Sequence, residues 1–200
     1  MTNPKINSLL DEANRLFLSG NLNQAILYYD KILDDDPENI SSLNNKGYAL
    51  SKLKNYDNAI ICYEKALKIK PNDLSVQINK ISALRKQKKF DDALSLCDKI
   101  LDLHQNYNVV LYHKERILFS LEKFLESLEC CDKILSDYPR NGDVLFDKAC
   151  CLSHLEKYED TISTLEKAIS QGNKFKIKVQ NSDLFKNLKN FQNFQKLFLD

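Results

Sequence analysis

The sequence predicts an all-α fold: a solenoid of about five helix–turn–helix units closed by a helical C-terminal cap. Two observations carry that prediction. Ala25, Ala59, Ala93, Ser127 and Thr161 stand 34 positions apart in an unbroken series. Other columns keep the same register, with Pro37, Pro71 and Pro139 on one ladder and Asp-Lys-Ile-Leu at 30–33, 98–101 and 132–135 on another. A fixed period of this length marks stacked like units, each burying its apolar faces against its neighbours. The composition agrees, since only four Gly and four Pro leave little room for long loops.

Within each unit the apolar spacing is helical. Leu43, Gly47 and Leu50 share one helix face, and Ala59, Tyr63 and Ala66 share another, with a polar break between them. Each unit is therefore read as two short helices joined by a tight turn. Small residues allow the two to cross closely: Ala13, Gly47 and Ala149 in the first helices, the opening ladder in the second. Ile81 and Glu115 interrupt the first of these columns, so the third and fourth units are expected to pack less tightly. The prolines end second helices, and Asn39 and Asp73 stand where the following helix needs an N-cap.

The run Leu43-Asn-Asn-Lys-Gly47-Tyr-Ala-Leu50, then Tyr56-Asp-Asn-Ala59-Ile-Ile-Cys-Tyr63-Glu-Lys-Ala66-Leu, then Pro71, resembles a tetratricopeptide repeat of nearly consensus form. Five units of this kind are placed at about 6–39, 40–73, 74–107, 108–141 and 142–173, within one domain that also includes capping helices over 174–200. In the cap, Ser182–Leu188 and Phe191–Phe198 read as two short amphipathic helices. Lys174–Val179 alternates with period two, but a lone strand has no partner, so a helical turn or extended link is expected.

The 29 basic and 28 acidic residues nearly cancel, which argues against a nucleic-acid partner or an acidic membrane surface. Six lysines against two aspartates over 174–200 read as a solvated basic tail. The six cysteines lie on or beside buried helix stripes without a Cys-x-x-Cys pair, as small reduced core residues would. No apolar run suits a secretory signal or a membrane span, so a cytoplasmic protein is expected. The three histidines lack metal-site spacing and no Gly-rich phosphate loop occurs; neither an enzyme nor a cofactor is expected.

The resemblance implies a concave groove lined by first helices and holding a peptide. The residues placed on that face are Tyr48, Lys52, Arg85, Lys86, Tyr112, Arg116, Phe119 and Phe146. Arginines bind carboxylates through paired hydrogen bonds and aromatic rings supply apolar contact, so a peptide with acidic and apolar residues fits. The family's chaperone-binding carboxylate clamp is not expected. Asn14 and Asn45 match its asparagines, but Leu10, Ser75 and Asn79 occupy its three basic slots. The reading is thus an interaction adaptor, monomeric or weakly self-associating. The alternative is a structural scaffold that assembles through the C-terminal cap or the convex face.

Overall fold

The computed structural model describes residues 4–105 and 107–199, and among them it contains helices and no strand. Five helix pairs follow one another: α1 Pro4–Leu18 with α2 Leu22–Asp35, α3 Ile40–Lys52 with α4 Tyr56–Ile69, α5 Leu74–Lys86 with α6 Phe90–Leu103, α7 Asn108–Ser120 with α8 Phe124–Asp137, and α9 Gly142–His154 with α10 Tyr158–Ile169. The cap consists of α11 Asn173–Gln180, a 3-10 helix Asp183–Leu188 and α12 Gln192–Lys196. The chain divides into two compact units, one ending at Leu96 and one beginning at Cys97.

The ladder of small residues explains the pairing. Ala25, Ala59, Ala93, Ser127 and Thr161 are all fully buried. Opposite them the first-helix column is matched to the volume it meets. A Cβ added to Gly47 would lie 2.6 Å from Tyr63 Cε1, so glycine is required for α3 to approach that ring. In the first pair, buried Tyr29 accompanies Ala13. In the fourth pair Glu115 fills the small-residue position, and Cys131 stands where the first two pairs have tyrosine. Glu115, Ser127 and Cys131 are nevertheless all buried. The looser packing expected of the fourth repeat is absent, because a smaller partner compensates for the larger residue.

Helix ends repeat as faithfully as helix faces. Lys54, Lys88, Glu122 and Glu156 adopt φ between 56° and 63°, and Gly20 takes 82° at the equivalent site. Each residue sits in a Schellman ending: Asn55 N donates to Leu50 O at 2.9 Å and Lys54 N to Ser51 O at 3.1 Å, with counterparts in all five pairs. Asn39, Asp73 and Asn141 accept from the amide three residues on, capping α3, α5 and α9; Tyr107 makes no such bond for α7. α2, α4 and α8 each stop two residues before a proline.

The Asp-Lys-Ile-Leu positions serve the stack. Lys46 pairs with Asp30, Lys80 with Glu64 at 2.9 Å, Lys114 with Asp98 at 2.6 Å and Lys148 with Asp132 at 2.5 Å. The same ion pair is thus made at four successive helix junctions, always 16 residues apart. All six cysteines are buried and free.

The segment 174–179 forms a regular helix rather than a link. Phe175 and Val179 fall one turn apart and are buried, while Ile177 between them is half exposed. A Cβ on Gly142 would lie 2.4 Å from the Phe175 ring, so α9 begins on a glycine because α11 presses against it. Phe185, Leu188 and Phe194 complete the cover over Ala149, Ile162 and Leu165. No helix among the described residues is long and apolar enough to cross a membrane.

Candidate functional site

In the first unit the first-helix face holds a pocket of about 370 Å³, lined by Asn14, Phe17, Leu18, Tyr29, Asn45 and Tyr48. Its polar part is fixed by internal bonds. Tyr29 Oη donates to Asn14 Oδ1 at 2.8 Å, and Asn45 Nδ2 donates to the same oxygen at 3.1 Å. Both lone-pair directions of that carbonyl are therefore used, which leaves the Asn14 amide donors and the Asn45 carbonyl uncommitted among the described residues. The apolar part is built from Phe17 and Tyr48, whose ring centroids lie 5.4 Å apart. Lys52, one turn along α3, places its ammonium 5.3 Å from the Tyr48 ring. At the rim Leu18 is 84 % exposed.

The structure brings Tyr48 and Lys52 together here, as the sequence suggests. Arg85 and Lys86 close α5 in the same unit, the first half-buried and the second exposed. A second asparagine pair, Asn79 donating to Asn44 at 2.9 Å, links α5 to α3. Leu18, Tyr29 and Asn45 were not among the residues selected from sequence for the groove. Leu18 carries a signal that could have found it: its column continues as Lys52, Lys86, Ser120 and His154, so an isolated leucine there is unaccounted for by packing.

In the second unit the expected residues separate into two groups. Arg116 lies 3.2 Å from Tyr112 Oη and 3.4 Å from Asp147 Oδ2, with its guanidinium over the Tyr112 ring. Part of the arginine's capacity is thus already spent on α9. Burial pushes the Asp147 carboxyl up despite the attraction of Arg116, so desolvation there outweighs the ion pair. Phe119 and Phe146 form the second group and serve packing. Phe119 meets Phe124 and His154 edge-on at 5.4 and 5.5 Å, and Phe146 meets Phe185 at 6.0 Å. Lys178 of α11 sits 5.2 Å from the Phe146 ring and bonds Asp143 at 3.0 Å. This cation comes from beyond the repeats, where no repeat column could indicate it.

Comparison with known proteins bears on the fold. Residues 40–73 match the tetratricopeptide repeat family. No curated protein matches the sequence. Among solved structures, a tetratricopeptide repeat protein from Parabacteroides merdae ATCC 43184 is 18 % identical, with 98 % of this chain and 80 % of that one covered at a TM-score of 0.82. MamA from Desulfovibrio magneticus RS-1, from its residue 41 to the end, is 17 % identical over 91 % of this chain and 100 % of its own, with a TM-score of 0.79. YrrB, described as a tetratricopeptide repeat protein with an unusual peptide-binding site, is 19 % identical over 87 % and 91 %, with a TM-score of 0.70. The second helix pair thus matches the family's repeat, and 98 % of the chain follows the fold of a tetratricopeptide-repeat array.

Proposed function

We propose that this chain is a protein-interaction adaptor that holds a peptide segment of a partner on the first-helix face. The observation that carries this reading is the pocket of Asn14, Phe17, Leu18, Tyr29, Asn45 and Tyr48. Its volume of about 370 Å³ is enough for one large apolar side chain. The uncommitted amide groups of Asn14 and Asn45 are suited to a peptide backbone, and Lys52 beside them favours a neighbouring carboxylate. The partner is thus a peptide with an apolar anchor flanked by acidic residues. Tyr112 and Arg116 offer a second, weaker contact of the same chemistry, because Asp147 already competes for the guanidinium. That YrrB has a peptide-binding site is a property of YrrB and lends the reading only the analogy of a shared fold.

Selection from a random peptide-display library against the purified chain tests the proposal. Enriched peptides should carry an aromatic or large aliphatic residue next to Asp or Glu. They should lose at least tenfold in affinity for Leu18→Asp and for Tyr48→Ser, with circular dichroism checking that each variant keeps its helices. Absence of enrichment, or equal affinity for both variants, would refute the assignment.

A self-associating scaffold is the second reading. It is favoured by a cavity of about 310 Å³ in the cap, lined mainly by Val179, Phe185, Phe194 and Phe198 with Lys189 at its edge. Light scattering should then show mass rising with concentration and Phe198→Asp should abolish the rise; a constant monomer mass rejects it.

A further inference from the structure

Among the described residues of the second unit, a buried polar cluster is centred on Glu115. This side chain is 2 % exposed and takes the position that Ala13, Gly47 and Ala149 hold elsewhere. Ser127 Oγ of α8 lies 3.2 Å from Glu115 Oε1 and 3.2 Å from its backbone oxygen. Cys151 of α9 reaches the same hydroxyl at 3.3 Å, and the Cys131 thiol of α8 is hydrogen-bonded to Cys151. Glu115 Oε2 is buried and has no hydrogen-bond partner among the described residues.

The titratable groups around it give little support to a negative charge. On α8 these are Cys130 and Cys131, and on α9 they are Asp147, Cys150 and Cys151. On α7 the neighbouring Arg116 is directed to Tyr112 and Asp147, while Lys114 is taken by Asp98 of α6. One hydroxyl donor cannot satisfy two carboxylate oxygens, so an ionised Glu115 would leave an unpaired charge between three helices. A neutral acid has no such cost.

We propose that Glu115 is a proton-held latch: protonated, it seats α7 on α8 and α9, and loss of the proton loosens α7 together with the Tyr112 and Arg116 surface that α7 carries. Burial first, then the charges of Asp147 and Cys151, push this carboxyl up to about 8, which sets the release in mildly alkaline solution. The sign follows from linkage. The folded chain binds a proton that the unfolded chain gives up near pH 4.5, so folding becomes less favourable as pH rises between these values and the loss levels off above 8. The inference concerns the second unit and does not depend on the peptide pocket of the first.

Hydrogen exchange of the full chain, followed by mass spectrometry on peptides covering α7 and corrected for intrinsic rates, tests it. Protection in α7 should fall up to about tenfold per pH unit between pH 5 and 8 in the wild type. It should stay within twofold in Glu115→Gln and in Glu115→Ala, the latter restoring the residue of the first and fifth repeats. Equal pH profiles for wild type and folded variants would overturn the latch. Carbon-13 titration of the wild-type glutamate carboxyls decides independently of any variant. One resonance should titrate near 8; if all titrate near the ordinary value of about 4.3, the proposal fails.

Discussion

Gly47→Ala offers a sharp test of how the repeats pack. The new Cβ would lie 2.6 Å from Tyr63 Cε1, 2.9 Å from Cζ and 3.0 Å from Cδ1, where ordinary contact begins at 3.4 Å. The ring must therefore retreat by nearly an ångström. It has nowhere to go, being fully buried with its hydroxyl 3.4 Å from Ser51. Overpacking of this kind costs about 1–3 kcal/mol, partly offset by about 1 kcal/mol for replacing glycine within a helix. The single substitution should thus destabilise by about 0–2 kcal/mol. Tyr63→Leu alone should cost about 2–3 kcal/mol through lost burial. Combined, they reproduce the Ala149 and Leu165 pairing of the fifth repeat, so the double variant should be less destabilised than the sum by about 1–2 kcal/mol. Urea unfolding monitored by circular dichroism measures all four corners of the cycle. Strict additivity would show that the glycine is not there for the ring.

Other predictions follow from the repeated helix ends and junctions. Lys54→Gly and Glu122→Gly relieve left-handed backbone at φ of 62° and 59°, and each should stabilise by about 1 kcal/mol in the same unfolding assay. Gly20→Ala should do the reverse by a similar amount, although a Cβ there meets open space; a neutral result would place the requirement elsewhere than in φ. Asn141→Ala removes the bond to Val144 N and should lower stability by about 1 kcal/mol, whereas Tyr107→Ala, which removes no capping bond, should not act through the cap. Lys148→Met breaks a partly exposed ion pair with Asp132 and should change stability by less than about 1 kcal/mol, with the difference vanishing in high salt.

Much of the fold was legible because the 34-residue ladder repeats every packing decision. The columns of Ala25 and Pro37 located the second helices, and Asn39 and Asp73 are the caps their positions suggested. What escaped sequence reasoning lay where one column compensates another. Glu115 looked like a defect because the first-helix column was read alone; its match with Cys131 needs both columns at once. Lys174–Val179 is ambiguous in sequence, between a helical turn and an extended link, for a related reason. Its lysines alternate with apolar residues, yet only Phe175 and Val179 pack, at helical spacing. The candidate site was legible to a lesser degree. Tyr48 and Lys52 do lie together, but the asparagine and tyrosine network beside them joins side chains from three helices, a coincidence no periodicity encodes.

The caps and prolines have a further consequence at the one junction, among the first four between helix pairs, that lacks both. Between α6 and α7 the proline column reads Gln105 and the cap column reads Tyr107, so neither device that marks the other first-to-fourth junctions is present. Helix α7 begins without a side-chain cap at Tyr107, and no proline precedes it to stop α6. The boundary there is held by packing and by backbone bonds such as Tyr107 N to His104 O at 3.1 Å, without a side-chain device. In unfolding, such a junction acts as a fuse: cooperativity carried from repeat to repeat is interrupted where local signals are weakest, so the array should melt in two blocks and be nicked first near His104.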